Sequence, residues 1–285
     1  MRKLPAWFRL FVRVLGTVAP WAMARIAWRL FWNLGDPMPL RADARDIHES
    51  ARKTTITVNG RDAIVYEWGD GPSTILLVHG WQGRGSQFAA IIRALQSSDR
   101  TVIAFDAPGN GDAPGDRTDI FDYIAVIRAV FDTHGEFELV VGHSFGVLAL
   151  FTALRTGVRA ERIVSIAGVS GFNYVVGAFA AALDLPLRVV RLLRRRIERN
   201  IFGGDTTFWR SYVSELDPTD QAPLFVIHDR YDSAVEFRQS RFITEAHTGP
   251  LTELYTSGLG HGRVLSDPAV VDSIVRFTAT ARQTR

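Results

Sequence analysis

Short apolar runs, separated by longer stretches with helical spacing, set the expected architecture. Thr74–Val78, Thr101–Phe105, Glu138–Val141, Arg162–Ala167 and Leu224–Ile227 have the length and aliphatic content of parallel strands buried on both faces. Leu251–Tyr255 is a weaker run of the same kind. Upstream, Thr54–Val58 and Ala63–Trp68 are expected to pair as a hairpin through Asn59-Gly60, a type I′ turn signal. Ile120, Ile124, Ile127 and Phe131 recur at helical spacing, as do Val270, Ile274 and Phe277. This alternation predicts an α/β domain with a mostly parallel sheet flanked by helices. Between Ala167 and Leu224 no strand run occurs, but helical patterns cover Val175–Leu183, Leu187–Asn200 and Thr207–Leu216. A structureless loop of that length would be unusual. The expectation is a helical cap inserted at about 171–217.

Before Gly35 the pattern changes. Residues 1–35 carry Arg2, Lys3, Arg9, Arg13, Arg25 and Arg29, no acid, and a high density of Trp and Phe. The longest uncharged run, Val14–Ala24, is too short to span a bilayer, which takes about 20 residues. Ala22-Met23-Ala24 resembles a signal-peptide cleavage site, but Arg9 and Arg13 leave almost no apolar region before it. Two readings stay open with equal weight. One is an interfacial helix with Trp and Phe in the acyl boundary and Arg at headgroup level. The other is a helix pair, broken near Gly16–Pro20, that packs on its own domain. The sequence favours a cytoplasmic location, peripheral at the inner membrane surface, over secretion.

Charge sharpens this division. The 285 residues have a formal net charge of +3. Residues 1–35 contribute +6 and Arg188–Arg199 contributes +5, leaving −8 for the rest of the chain. No nucleic-acid motif surrounds either basic segment, so a nucleic-acid partner is not expected. The chain has no cysteine, which removes thiol nucleophiles and thiolate metal sites. No metal cluster or nucleotide-binding loop stands out, and neither a metal nor a cofactor is expected.

One motif carries candidate chemistry. Gly142-His143-Ser144-Phe145-Gly146 fits G-x-S-x-G, follows the run Leu139–Val141 and opens the helical stretch Val147–Leu154. Strand, sharp turn and helix are the context that lifts a serine hydroxyl clear of a sheet. A hydroxyl is a weak nucleophile near neutral pH and needs a base. In enzymes with this turn the acid and then the histidine follow the serine in sequence. His228, His247 and His261 are the histidines after Ser144. His261 lies in a Gly-rich loop after the last strand run, from which a base can reach over the sheet, and is the preferred candidate. Asp229 and Asp232 both follow the strand run ending at Ile227. Asp232 is preferred as the acid, with Asp229 capping locally or pairing with Arg230.

The oxyanion formed on acyl attack needs two backbone donors. The amide of Phe145 follows the nucleophile, and that of Trp81 lies in the loop His79-Gly80-Trp81-Gln82-Gly83. His79 is read as a buried histidine holding that loop. Asp106, in Phe105-Asp106-Ala107-Pro108-Gly109-Asn110-Gly111, is read as scaffolding.

These motifs, with Asp229-Arg230-Tyr231-Asp232 and Gly260-His261, resemble in order and spacing the signatures of the α/β-hydrolase fold superfamily, serine esterases and lipases with a helical cap. The resemblance covers residues 54–285. It implies an eight-stranded, mostly parallel sheet with one antiparallel strand, a cap after the sixth strand, and a Ser144–Asp232–His261 triad. Asn110 departs from the pattern, since relatives often carry His there. Residues 1–35 lie outside it.

The expected reaction is therefore hydrolysis of a carboxylic ester or thioester, with a small apolar acyl substrate. His143, Phe172 and Trp209 are candidate substrate contacts, while Phe172 and Trp209 equally suit helix packing. A membrane-associated lipase or acyltransferase, using residues 1–35 at a membrane surface, is one alternative. A non-catalytic binding protein on the same fold is another.

Overall fold

The computed structural model describes residues 5–216 and 221–279. The first elements are helices α1 (Ala6–Val18), α2 (Pro20–Trp32) and α3 (Arg45–Ser50), then strands β1 (Arg52–Val58), β2 (Arg61–Trp68) and β3 (Ser73–Val78). Next come α4 (Ala89–Leu95), β4 (Arg100–Asp106), α5 (Ile120–His134), β5 (Leu139–His143), α6 (Phe145–Arg155) and β6 (Ile163–Ile166). The segment before the next strand holds α7 (Phe172–Ala182), α8 (Leu187–Ile201) and α9 (Phe208–Ser211). The chain continues with β7 (Leu224–Asp229), α10 (Arg238–Ala246), β8 (Leu251–Thr256), α11 (Gly260–Arg263) and α12 (Pro268–Ala279).

These elements form two compact units. One combines the N-terminal residues through Asn33 with Gly171–Val213; the other contains Leu34–Ser170 and the chain from Ser214 onward.

The larger unit is built on an eight-stranded sheet in the order β1-β2-β4-β3-β5-β6-β7-β8. β2 runs antiparallel to both its neighbours, and all other adjacent pairs are parallel. The expected hairpin turn is present: Val58 pairs with Arg61, and Asn59 and Gly60 take φ of 50° and 73°. Both central residues of a type I′ turn need positive φ, which Asn and Gly tolerate. The inner strands are buried along their length because helices cover both faces. β8 is an edge strand with half-exposed side chains, which explains its weak signal. α5 starts at a capping box, Asp119 accepting from the amides of Phe121 and Asp122. Asp122 also accepts from Arg61 at 2.5 Å and Asn59 at 3.2 Å, tying the β1–β2 turn to this helix.

In the smaller unit the N-terminal stretch breaks at Ala19 into two helices. α2 buries Met23, Ala24, Ala27 and Phe31, and α8 buries Val189, Leu193 and Ile197 at intervals of four. An aromatic cluster closes the unit. The Phe172 ring lies 6.3 Å from Phe31, 5.9 Å from Phe202, and 6.0 Å from both Phe208 and Trp209. The helical pattern expected over Thr207–Leu216 is helical only at Phe208–Ser211. Beyond it the chain extends, Gly171 bridging to Val213 and the Phe172 amide donating to Tyr212 O at 3.0 Å. That pairing returns the backbone beside the start of α7, and a longer helix would forfeit it.

Phe172 is 1% exposed. Its replacement by alanine leaves a cavity the surrounding rings cannot close, and is expected to cost roughly 3–5 kcal/mol of unfolding free energy. Urea denaturation of Phe172→Ala beside the wild type measures this. A loss below about 1 kcal/mol would remove Phe172 from the core of this unit.

Candidate active site

Ser144 joins β5 to α6 with φ 55° and ψ −121°, a conformation few non-glycine residues adopt. The surroundings enforce it. A Cβ on Gly146 would stand 2.4 Å from Val78 O and 2.5 Å from His79 O. One on Gly142 would stand 2.9 Å from Val147 Cα. The turn is therefore pressed between the end of β3 and its own helix, with no room for side chains on either flank. His143 and Phe145 are buried while Ser144 is partly exposed.

The loop after β3 passes directly beside this serine. A Cβ on Gly80 would lie 2.9 Å from Ser144 Cβ and 3.4 Å from its Oγ. The Trp81 ring meets Phe145 edge-on, centroids 5.4 Å apart. Phe145 is the first residue of α6, so its amide is among the donors that no carbonyl of the helix takes. His79 holds the loop as the sequence suggests. It is wholly buried, its Nε2 accepts from the Ala107 amide at 3.0 Å, and its Nδ1 donates to Gly80 O at 2.7 Å. Burial pushes its pKa down, so the ring is neutral. Asp106 is scaffolding too, accepting from Tyr66 Oη, Gly85 N and Asp112 N at 2.6–2.8 Å. Asn110 is buried and donates through Nδ2 to Pro108 O at 3.1 Å.

His261 and Asp232 come together: Nδ1 lies 2.7 Å from Oδ2. The Asp232 side chain is fully buried and that of His261 is 25% exposed. Asp232 Oδ1 accepts from the amides of Ala234 at 2.7 Å and Val235 at 3.0 Å. Burial disfavours its charge, but hydrogen bonds from His228 and His261 and the field of His261 outweigh that, holding the carboxyl well below the usual range. A carboxylate at Nδ1 fixes the donor there and leaves Nε2 of His261 as the basic nitrogen.

Two further residues position this pair, and a third, Gln87, orients the neighbouring His143. His228 Nε2 lies 3.3 Å from Asp232 Oδ2, and its Nδ1 is 2.5 Å from Ser240 Oγ. Asp229 does not pair with Arg230, whose guanidinium sits over the rings of Phe237 and Tyr255. Instead Asp229 gathers the segment leading to His261: Thr256 Oγ1 and Leu259 N at 2.8 Å, Tyr231 N at 2.9 Å, Gly258 N at 3.3 Å. Despite burial, these donors keep its carboxyl below the ordinary range. Gln87, in the turn Gly85–Phe88, carries no motif and could not be found from sequence. Its Nε2 donates to His143 Nδ1 at 3.2 Å.

His143, expected to contact substrate, is 5% exposed and its Nε2 donates to His261 O at 3.0 Å. The two imidazole centroids are 4.6 Å apart. Its ring nitrogens are thus used by Gln87 and by the His261 backbone. Phe172 and Trp209, the other two expected contacts, lie in the aromatic cluster of the smaller unit. The Phe172 ring is enclosed there. Trp209 is half-buried, its Nε1 donating to Glu198 at 2.8 Å and its face covered by Arg194. Among the described residues no three His, Asp or Glu side chains converge as a metal site.

The chain belongs to the alpha/beta hydrolase family, whose pattern matches residues 75–272. Solved structures agree in fold at low identity. Mouse alpha/beta hydrolase domain-containing protein 10 superposes with a TM-score of 0.61 at 14% identity, over 82% of this chain and 99% of that one. An esterase from a Rhodococcus species gives 0.55 at 20% identity, over 81% and 99%. Naproxen esterase from Bacillus subtilis gives 0.56 at 15% identity, over 84% and 99%. No curated protein matches the sequence.

Two outcomes follow from this geometry. Asp229→Ala leaves several buried donors without an acceptor and is expected to cost about 2–4 kcal/mol. Chemical denaturation reads the loss, and a change under about 0.5 kcal/mol would contradict the clamp. The second concerns pH. Burial, then the neighbouring His261, pushes the His143 pKa down to about 3. The unfolded chain binds this proton near pH 6.5, so His143 contributes stability above that pH and loses it as pH falls toward 3. Unfolding free energy should therefore fall between pH 6.5 and 4.5. His143→Gln should flatten the slope by up to about 1.4 kcal/mol per pH unit. Equal slopes in urea titrations of the two proteins would show that His143 is not held neutral.

Proposed function

We propose that the chain is a serine hydrolase that cleaves a carboxylic ester or thioester through an acyl-enzyme on Ser144. The reading rests above all on the Ser144 backbone, held at φ 55° between β5 and α6 with glycines on both sides. A strained serine, partly exposed beside a helix N-terminus, is the arrangement a nucleophile elbow requires. The His261–Asp232 hydrogen bond adds a base and its orienting acid.

In this mechanism Ser144 Oγ attacks the acyl carbon as His261 Nε2 takes its proton. The carbonyl oxygen becomes an oxyanion facing the Phe145 and Trp81 amides. Collapse breaks the bond to the leaving group, which receives the proton from His261. Water, deprotonated by the same nitrogen, then attacks the acyl-enzyme and releases the acid. Asp232 stays ionised throughout and stabilises the imidazolium, consistent with its depressed pKa. Esterase activity of the Rhodococcus and Bacillus proteins is in keeping with this class, although likeness at these identities concerns fold alone.

Labelling with a fluorophosphonate probe, together with turnover of p-nitrophenyl esters of increasing acyl length, tests the proposal. The wild type should be labelled and active. Ser144→Ala should lose the label and about 10⁴–10⁶ in kcat, and Asp232→Asn about 10⁴. A folded wild type that takes no label, and turns over no faster than Ser144→Ala, would refute the proposal and leave a binding role on this fold.

A further inference from the structure

The smaller unit carries surface features that acyl chemistry does not use. Along α1, Trp7, Leu10, Phe11, Val14 and Val18 are all between 45% and 80% exposed. At 100° per residue they fall within an arc of about 100° on the helix. This is not the packed side of α1, which consists of Phe8, Val12, Leu15 and Gly16. The helix therefore presents a second apolar face that none of the described residues covers. Arg9 and Arg13 occupy the sector between the two.

Three residues beyond Val18, Trp21 is 71% exposed and forms part of the wall of a cavity between α2 and α8. The cavity measures about 350 Å³, and Leu192, Arg195, Arg196, Arg199 and Asn200 also line it. No acid lines it. The one acid of α8, Glu198, is engaged by Trp209 Nε1. Among the described residues Arg195, Arg196 and Arg199 make no salt bridge, and the buried Nε of Arg196 has no hydrogen-bond partner. Three arginines thus line one cavity with no acid beside them, the Arg196 guanidinium resting over the Trp28 ring at 5.7 Å, and a phosphate satisfies such donors bidentately.

We propose that the apolar arc of α1 and the arginine-lined cavity form one docking surface for a membrane of anionic phospholipid, with a lipid phosphate seated in the cavity. A bilayer supplies both missing partners at once: acyl chains for the arc and anionic headgroups for the guanidinium groups. Trp21, at the junction, has the amphipathic ring that favours the headgroup level. A soluble anion would fill the cavity but leave the arc exposed. A second copy of the chain would cover the arc but bring a like-charged surface to the cavity. The proposal is independent of the chemistry at Ser144.

Co-sedimentation of the full chain with vesicles tests it. Wild-type protein should bind phosphatidylcholine vesicles containing phosphatidylglycerol at least tenfold more tightly than pure phosphatidylcholine, and less tightly as salt is raised. The triple variant Arg195→Gln/Arg196→Gln/Arg199→Gln should lose about 100-fold in affinity. Trp7→Ser/Leu10→Ser/Val14→Ser, altered only at exposed positions, should also lose membrane binding while remaining folded by circular dichroism. Should the arginine variant not fold, quenching of wild-type tryptophan fluorescence by brominated phosphatidylglycerol, reduced in Trp21→Phe, reads the same contact. Ser144→Ala should bind vesicles like the wild type, so failure of the catalytic reading leaves this result intact. Equal binding to both vesicle types, unchanged binding by both surface variants, or competition by soluble glycerol phosphate without any vesicle association would overturn the proposal. A dimer that buries the arc and ignores vesicles would overturn it as well.

Discussion

Loops leaving the carboxyl end of the sheet are held by buried carboxylates, and the site depends on that constraint. A parallel sheet satisfies its own amides only as far as its strands pair. Beyond the last rung, the amides of the turns need other acceptors, and water is largely excluded there. Asp106 at the end of β4 supplies acceptors for Gly85 and Asp112, and Asp229 at the end of β7 does so for Tyr231, Gly258 and Leu259. Asp232 does the same for Ala234 and Val235, with its second oxygen turned to His261. Asp229 and Asp232 stay charged because donors surround them, and at all three positions the donors are fixed because the buried side chain cannot leave. The histidine loop gains its position from this exchange.

Ser144 is held by a different means. The residues two before and two after it are glycines because backbone atoms of Val78, His79 and Val147 occupy the space where side chains would stand. Hydrogen bonds fix one half of the site and steric exclusion the other. His143 and Gln87 link the halves: one histidine, one residue before the serine, donates to the backbone of the other histidine and is itself oriented by a glutamine from the turn after β3. A neutral ring is needed for both bonds, and burial keeps it neutral.

Strands were legible because burial on both faces leaves a continuous apolar run, which five of the eight display. β1 and β2 were legible from their turn, and β8 only faintly, since an edge strand keeps polar side chains. Ser144, Asp232 and His261 stood out because each sits in a turn whose glycines or acids are costly elsewhere. Gln87 was invisible: a single amide in a short turn acquires meaning only when β3 and β5 pair in register. The extent of α9 is hidden from sequence for the same reason, because the Gly171–Val213 bridge just beyond it joins residues far apart in sequence. Met23, Ala27 and Phe31 pack inward, while one side of α1 stays bare.

The smaller unit is assembled from two chain segments, one ending at Asn33 and the other beginning at Gly171. A ribosome must add the whole intervening stretch before α2 can meet α8. At ordinary translation rates that interval is on the order of ten seconds. Throughout it, the inward face of α2 and the bare side of α1 are both available to whatever the nascent chain encounters. The order of synthesis therefore gives chaperones and membranes access to this helix pair before its own partner helix exists.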